Sequence, residues 1–342
     1  MAEGTTYRDA GVDIERADAI VASMQEAIRG TWIEGTTGDF GDFAASFFPP
    51  WKDYRRPRLV ACTDSVGTKI KLAAATGRHR EVGVDCVGMV VNDMVTEGAR
   101  PLFLLDYIAA SELKPEPVLQ IVQGLAQGCR EAGCALVGGE TAEMPGVYGP
   151  DDHELVGFAL GIAEGDRELL PRDPEPGDLL LGLPSAGLHS NGFSLVRQVI
   201  TDRGWDLEQV IAPLEIPLAE ELMRPTRIYV RPVLDLFERG GALAFAHITG
   251  GGIPGNVGRA LPRGTRPRID WSSWARPPVF DLIADAGRVS EEEMRRTFNL
   301  GVGMVAVVPP GDLERALGVA REAGVEAHVM GEVIEEGDDS GG

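Results

Sequence analysis

Short apolar runs recur along the chain, and many of them end in a turn rich in glycine and polar residues. Runs of this length predict buried strands, whereas apolar residues at a 3.6-residue period predict helices. The predicted strands are 59–63, 102–108, 135–137, 155–163, 178–183, 243–248, 304–308 and 327–333. The predicted helices are 13–28, 85–95, 117–129, 193–202, 227–238, 254–261 and 313–323. This alternation predicts a mixed α/β fold in which helices pack against sheets.

A polar segment with three prolines, residues 164–177, interrupts the pattern, which then starts again. The chain has 342 residues, and domains commonly have roughly 100–200 residues. We therefore predict two domains of similar size, residues 1–168 and 169–342. Residues 335–342 contain only acidic, serine and glycine residues, so we expect a disordered acidic tail.

The charge of the chain excludes some classes of partner. Acidic residues number 53 and basic residues 32, which gives a net charge of −21 and disfavours general nucleic-acid binding. No apolar run approaches the roughly 18 residues that span a membrane, and the first 30 residues lack an apolar signal segment. The four cysteines form no CxxC pair. These features predict a cytoplasmic protein that binds neither nucleic acid nor membrane.

Several common catalytic motifs are absent from the sequence. It contains no GxxxxGK[ST], no HExxH and no GxSxG. Residues 301–306 imitate a dinucleotide-binding fingerprint, but they enter an apolar strand-like run instead of opening a helix. The candidate sites are therefore the polar turns that follow the predicted strands, which is where α/β proteins bind ligands.

The first such turn, residues 63–71, holds two of the four lysines in the chain. Asp64 is suited to a divalent metal and Lys69 to a phosphate, while Gly67 and Thr68 lie between them. The alternative, which the segment alone supports equally, is an ordinary strand-to-helix turn in which Asp64 caps the helix.

The next two turns also contain acidic residues. Asp93 follows Asn92 on a predicted helix that ends at Gly98, and the simpler interpretation is an exposed helix face with a terminal glycine. In residues 138–146, paired glycines and two glutamates suit a ligand or a metal, but a tight loop with solvated glutamates fits equally well.

Two further turns lie in the second half of the chain. One carries His189, Ser190 and Asn191, and the other joins His247 to Thr249 and three glycines. Successive glycines before a helix can present backbone N–H groups to an anion. The five turns together suit two phosphorylated ligands, and ATP with Mg²⁺ plus a phosphorylated second substrate fits these residue types.

These motifs resemble the phosphoribosylformylglycinamidine cyclo-ligase family, also called aminoimidazole ribonucleotide synthetases. The resemblance covers nearly the whole chain and rests on segments 7–13, 63–69, 91–93, 103–107, 138–146, 189–192, 225–229, 247–252 and 296–304. Residues 93–101 also fit the DxxxxGAxP nucleotide signature of the wider superfamily. Two departures are Ser65, where the family usually has glycine, and fewer glycines in 38–43.

The resemblance implies a homodimer whose N-terminal domains pair into a barrel, with the active-site groove between the two domains of each chain. It assigns ATP binding and dimerisation to residues 1–168 and substrate binding to 169–342. The implied reaction uses ATP and Mg²⁺ to convert 2-(formamido)-N1-(5-phospho-ribosyl)acetamidine into 5-aminoimidazole ribonucleotide, ADP and phosphate. This is a ligase reaction of purine biosynthesis.

The family pattern also suggests a role for each candidate residue. The implied Mg²⁺ ligands are Asp64, Asp93 and Glu140, and Lys69 would contact the ATP phosphates as a catalytic residue. The nucleotide would further be held by Gly67, Thr68, Gly98, Ala99, Pro101 and Gly139. The second substrate would be held by Ser190, Asn191, Thr249, Gly250, Gly251 and Gly252. His247 and His189 are candidates for proton transfer.

Other interpretations remain at this point. Selenide, water dikinases need a reactive Cys or selenocysteine near the N-terminus, and the first cysteine here is Cys62. Hydrogenase-maturation carbamoyl dehydratases need a C-terminal cysteine, and none follows Cys134. Thiamine-monophosphate kinases lack the 138–146 and 189–192 segments. From another class, the chain could be a non-catalytic nucleotide-binding subunit.

Overall fold

The computed structural model describes residues 14–39, 41–165 and 172–337. Segment 7–13 of the resemblance, the centre of the predicted linker and residues 338–342 lie outside the described residues. Glu335, which we predicted to begin a disordered tail, is the last residue of a strand. The division between 168 and 169 also falls outside the described residues and stays a prediction.

Every predicted helix and strand is present. The helices are α1 (Ile14–Arg29), α2 (Ile70–Thr76), α3 (His79–Val95), α4 (Pro115–Ala132), α5 (Phe193–Arg203), α6 (Leu218–Leu222), α7 (Val230–Asp235), α8 (Gly252–Ala260), α9 (Pro278–Gly287), α10 (Glu291–Thr297) and α11 (Leu313–Glu322). The strands are β1 (Thr36–Thr37), β2 (Ser46–Phe47), β3 (Pro57–Ser65), β4 (Arg100–Ala110), β5 (Ala135–Glu143), β6 (His153–Glu164), β7 (Leu179–Pro184), β8 (Ala244–His247), β9 (Thr265–Ile269), β10 (Val302–Val308) and β11 (His328–Glu335). The sequence did not predict β1, β2, α2, α6, β9, α9 and α10, which are further elements.

The first half of the chain forms a four-stranded sheet with the order β3-β6-β4-β5. Only β4 and β5 are parallel, and α4 connects them. Helices α3 and α4 cover one face of this sheet. Their backbones cross very closely, because a Cβ added at Gly83 would lie 2.2 Å from the Ile121 carbonyl oxygen. Glycine is therefore required at this crossing.

The second half forms a five-stranded antiparallel sheet with the order β8-β10-β7-β11-β9. Every residue of the inner strand β10 is buried. On one face, Ile253 and Val257 of α8 pack against Val305. On the other face, Met304 and neighbouring residues join the large apolar cluster that also contains residues of α3. Continuous apolar packing thus links the two halves.

The mixed α/β prediction is confirmed, but several elements differ in extent. Residues 138–143 continue β5 as a strand, although we predicted a turn there. The helix predicted over 227–238 begins at Val230, and its last turn, Leu236–Gly240, is a π-helix. Among the described residues, 30–56 are mostly loop, with β1 and β2 as short strands and a single 3₁₀ turn at Trp51–Asp53. In the described ranges, no helix combines the length and the apolar character needed to cross a membrane.

Candidate active site

A cavity of about 960 Å³ lies between the two sheets. Its walls come from both halves of the chain: Arg58 and Val60–Cys62 of β3, the end of α3 with the turn that follows it (Asp93 to Gly98), strand β8 and the end of α8. A cavity of this size is at the upper end of the range for small-molecule sites. It is the candidate active site because it contains several of the predicted residues.

Asp93 and His247 meet at this cavity. Asp93 Oδ1 lies 2.7 Å from His247 Nδ1, so a contact joins α3 to β8. The His247 side chain is 2% exposed, and its Nε2 is buried without a hydrogen-bond partner. When the carboxylate accepts a hydrogen bond from Nδ1–H, Nε2 is the acceptor nitrogen of the neutral ring. The pair therefore fixes the imidazole beside the cavity and leaves one buried ring nitrogen without a hydrogen-bond partner.

Asp64 lies near this pair, at the end of β3. Burial raises the pKa of its carboxyl, the charge of Asp93 raises this pKa further, and His247 lowers it. One carboxylate oxygen accepts a hydrogen bond from the Ser65 backbone N–H at 2.7 Å. Two neighbouring carboxylates repel each other, and a divalent cation removes that repulsion. The oxygen ligands of Asp64 and Asp93 therefore fit Mg²⁺.

Glu140 does not join these two residues within one chain. Its partner in β4 is Tyr107, which in turn pairs with Val156 of β6, and β6 separates β4 from Asp64. Three strand spacings amount to about 14 Å. Among the described residues, no three His, Cys, Asp or Glu side chains are placed to hold a metal. The predicted three-carboxylate set is thus not assembled in the single chain.

The turn after β3 contacts the second half of the chain. Thr68 Oγ1 lies 3.1 Å from Ser194 Oγ, at the first turn of α5. Gly67 has a φ of +58°, and a Cβ there would be 4.0 Å from the Ser190 carbonyl oxygen. The Ser190 hydroxyl is buried and has no hydrogen-bond partner. Gly67, Thr68 and Ser190 are therefore adjacent, as two of the predicted sites would require.

Lys69 is placed differently from our prediction. Its side chain is 0% exposed, and Nζ lies 2.7 Å from Asp85 Oδ2 in a buried ion pair. Nζ also donates to the backbone carbonyls of His189, at 3.0 Å, and Arg224, at 2.9 Å. Burial lowers its pKa, and Asp85 opposes this effect. Because three oxygens surround the ammonium, a phosphate could reach it only after these contacts separated.

The ring of His189 is buried and accepts hydrogen bonds from the backbone. Its Nε2 accepts backbone N–H groups of Ala186, at 3.1 Å, and Arg227, at 3.4 Å. Burial lowers its pKa well below the usual value, and the neighbouring cations lower it further. The residue has a φ of +61°, a left-handed conformation that is uncommon outside glycine. A neutral ring whose Nε2 is occupied is a poorer proton carrier than His247.

The side chain of Asn256 hydrogen-bonds to the backbone of the glycine turn that follows β8. The Asn256 amide donates to the carbonyl oxygens of Thr249, Gly250 and Gly252 at 2.8–3.3 Å. Gly251 is in the left-handed region, with a φ of +100°. The side chain of Asn191 lies beside Gly250, because a Cβ there would be 3.7 Å from Asn191 Oδ1. The two predicted substrate segments are therefore neighbours.

The remaining predicted residues lie in two parts of the fold, the turn after α3 with the start of β4, and strand β5. Gly98 lies in the turn that follows α3 and lines the cavity, and a Cβ there would lie 3.1 Å from the Phe237 ring. Ala99 and Pro101 are buried beside it. Gly139 lies in β5, where a Cβ would be 2.5 Å from Asp106. Only the Gly98 turn therefore lies at the same cavity as Asp93.

Sequence reasoning missed Asp85 and Asn256 as site-building residues. Asp85 is fully buried in α3 and pairs with Lys69. The sequence feature that could have identified it is a single acidic residue within an apolar helical segment. Asn256 is an amide four residues after Gly252, on the first turns of α8. Neither residue belongs to a turn, so a search restricted to turns could not find them.

Comparisons with known proteins agree with this architecture. Residues 51–163 match the family model "AIR synthase related protein, N-terminal domain", and residues 175–341 match its C-terminal domain. A phosphoribosylformylglycinamidine cyclo-ligase from Myxococcus xanthus is 47% identical over 96% of both chains. The chain belongs to the phosphoribosylformylglycinamidine cyclo-ligase family. It is therefore a ligase enzyme.

A second family member and a solved structure extend these comparisons. The cyclo-ligase of Geobacillus thermodenitrificans is 46% identical over 96% of this chain and 95% of its own length. A crystal structure of the hydrogenase maturation protein HypE in complex with ATP superposes with a TM-score of 0.62. That structure covers 98% of this chain and 89% of its own, at 18% sequence identity. The chain thus shares its fold with HypE.

Proposed function

We propose that this cyclo-ligase closes the imidazole ring of 5-aminoimidazole ribonucleotide from 2-(formamido)-N1-(5-phospho-ribosyl)acetamidine, with ATP converted to ADP and phosphate. The observation that carries the proposal is the 46–47% identity to enzymes of that name over 96% of the chain. The cavity between the two sheets supports it, because it is large enough for a nucleotide and is lined by three of the predicted residues, Asp93, Gly98 and His247.

Ring closure requires the oxygen of the formyl amide to become a leaving group. Transfer of the γ-phosphoryl group of ATP to that oxygen gives an iminophosphate. The ribosyl-bearing nitrogen of the amidine then attacks the formyl carbon, the C–O bond breaks, and phosphate leaves with the oxygen. Such a reaction depends mainly on positioning and on neutralising charge.

Asp64 and Asp93 are the proposed Mg²⁺ ligands. Burial, and to a smaller extent the nearby charge of Asp93, raises the pKa of Asp64, and a divalent cation would relieve the repulsion between the two carboxylates. When bound, Mg²⁺ neutralises charge on the phosphates during transfer. Asp93 also orients His247 through the 2.7 Å contact, and His247 Nε2 is the proposed acceptor for a substrate proton.

The two ligands are assigned to adjoining parts of the site. Gly67, Thr68 and the Gly98 turn are the proposed contacts of ATP, and the ATP-bound HypE structure supports a nucleotide in this fold. Ser190 and Asn191, with the glycine turn 249–252, are the proposed contacts of the second substrate. The unpartnered Ser190 hydroxyl supports this role.

We also propose that the enzyme is a homodimer. One face of the four-stranded sheet carries partly exposed apolar side chains, among them Leu59 at 48% and Phe158 at 40% exposure. Its outer strands β3 and β5 each have one unpaired edge within the described chain. Pairing two such sheets into a barrel would cover this face and these edges.

A dimer gives Glu140 a place in the mechanism. Glu140 lies on the edge strand β5, and Asp64 lies on the opposite edge strand β3. In a closed barrel, β5 of one subunit would lie beside β3 of the other. Glu140 and Gly139 would then complete the site of the partner subunit, as the predicted metal and nucleotide roles require.

The proposed function is tested by ADP release from the purified protein. We expect release to require both the formylglycinamidine ribonucleotide and Mg²⁺. The Asp93→Asn variant should lower kcat by about 10²-fold or more, because it weakens both the metal site and the orientation of His247. The control variant Asp202→Asn changes an exposed carboxylate on α5 and should retain full activity. ATP cleavage that is indifferent to the ribonucleotide would contradict the proposal.

A further inference from the structure

The ion pair of Lys69 and Asp85 connects the two halves of the chain at several points. Lys69 lies just after β3, and Asp85 lies on α3, so both charges belong to the first half. The carbonyl groups that receive the ammonium, those of His189 and Arg224, belong to the second half. The ring of Phe193 covers the ammonium at 5.4 Å.

Asp85 extends the same network. Its second oxygen, Oδ1, accepts both the backbone N–H and the hydroxyl of Thr226, each at 2.7 Å. About two helical turns further along α3, Asn92 donates to the Arg227 carbonyl and accepts the Tyr229 N–H, both at 2.8 Å. Three polar side chains of the first half thus bind segment 224–229 of the second half.

We propose that Lys69 is a positioning residue, which fixes the His189–Ser190 turn and segment 224–229 against the first half of the chain. Lys69 holds the carbonyl of His189, whose left-handed backbone is otherwise disfavoured. Ser190 follows directly and carries the buried unpartnered hydroxyl. Lys69 therefore sets where the second substrate binds relative to Asp64, and it does not contact ATP. This inference rests on the proposed function of Ser190.

The burial of the pair explains why both charges are kept. An ammonium that loses its partner, or a carboxylate that loses its own, is costly in a dry interior, whereas removing both charges together is often tolerated. Lys69→Met should therefore loosen both attached segments. Lys69→Met combined with Asp85→Asn should restore much of the order, because the amide oxygen that this second substitution introduces can still accept from Thr226.

Amide hydrogen exchange of the full-length protein tests this directly. In Lys69→Met, exchange in 186–191 and 224–229 should become at least about tenfold faster than in wild type. The control Leu125→Ala, at a fully buried site in α4, also destabilises the protein but should leave the relative protection of these segments unchanged. Unchanged protection of both segments in Lys69→Met would overturn the inference, whether or not the protein proves to be a cyclo-ligase.

Ligand binding separates positioning from phosphate contact. For folded Lys69→Met, we expect the Kd for Mg-ATP to stay within about threefold of wild type and the KM for the ribonucleotide to rise at least about tenfold. The double variant should recover part of that KM. A tenfold loss of ATP affinity that the double variant does not recover would show that Lys69 contacts the nucleotide, and would overturn the inference. Wild-type protein without ribonucleotide-dependent ADP release would instead contradict the proposed function.

Discussion

Gly252 shows how a single residue shapes the candidate site. Its φ is +65°, and a Cβ would lie 1.8 Å from the Arg295 carbonyl oxygen, so the first residue of α8 touches α10 with no room for a side chain. Gly252→Ala should lower the free energy of unfolding by about 3 kcal/mol, as overpacking and a strained backbone combine. Urea unfolding measures this change.

Gly255 in the same helix is the matched control. A Cβ there meets nothing within 4 Å, so Gly255→Ala should stabilise the protein by up to about 1 kcal/mol through helix propensity. Equal effects of the two substitutions would contradict the close contact between α8 and Arg295.

The sequence singled out individual candidate residues, but it did not reveal their partners. Asp93 and His247 are 154 positions apart, and their contact depends on how α3 packs against β8. Lys69 was singled out as a scarce cation beside a glycine turn. Its burial against Asp85 could not be read from that turn, because the carbonyl groups that surround it come from distant segments.

Among the secondary-structure elements, the crossing of α3 and α4 is the tightest contact between helices of the first half. A Cβ at Gly124 would lie 2.0 Å from the Arg80 carbonyl oxygen. Gly124→Ala should therefore push the helices apart and cost about 3 kcal/mol in unfolding free energy. Gly318→Ala in α11, where a Cβ meets nothing within 4 Å, should be neutral or slightly stabilising. Thermal and urea unfolding of both variants would check this.

His79, the first residue of α3, lies beside His153, the first residue of β6. The rings of His79 and His153 lie 5.3 Å apart, and burial lowers the pKa of both, to about 4 for His153, where His79 also contributes. Below about pH 6.5 the unfolded chain binds more protons than the folded one, so the unfolding free energy should fall as pH decreases towards 4.

His153→Phe isolates this contribution, because it keeps an aromatic ring beside His79 and removes one titrating group. Between pH 7 and pH 4.5, the variant should lose about 1 kcal/mol less unfolding free energy than wild type. An identical pH dependence of the two proteins in urea unfolding would show that His153 does not titrate differently on folding.

The sequence predicted where β5 begins but not where it ends. The apolar run 135–137 predicted its start, but the structure continues the strand through Gly138 and Gly139 to Glu143. Glycine in a strand interior usually signals a break, and here a close approach of the backbones explains it, since a Cβ at Gly139 would meet Asp106 at 2.5 Å. Tertiary packing overrode the local signal.

At the scale of the whole molecule, shared sites in a homodimer can be tested by complementation. Asp64→Asn and Glu140→Gln should each inactivate the enzyme, because each damages the proposed metal site. In mixed dimers, one of the two sites would carry neither substitution. Mixing the two inactive proteins after reversible dissociation should therefore restore up to about a quarter of wild-type activity.

Each variant mixed with itself serves as the control and should stay inactive. Continued inactivity of the mixture, with hybrid dimers demonstrated by mass spectrometry, would place Asp64 and Glu140 in the same subunit's site or remove Glu140 from it. A monomer in light scattering would contradict the dimer itself.

The two-part architecture was largely predictable from the sequence. The interruption at 164–177 separates the strands of the first sheet from those of the second, which begins at Leu179. The strand orders were not predictable, because β8 pairs with β10 across more than 50 residues. The cavity depends on those pairings and on the packing of α3 against the second half.

The reaction itself is tested most directly by following the formyl oxygen. Formylglycinamidine ribonucleotide labelled with ¹⁸O in its formyl group is incubated with the enzyme, ATP and Mg²⁺, and the released phosphate is analysed by mass spectrometry. We predict one labelled oxygen in each phosphate, formed together with equal amounts of ADP and 5-aminoimidazole ribonucleotide. Unlabelled phosphate, with the label released to water, would contradict phosphorylation of the formyl oxygen.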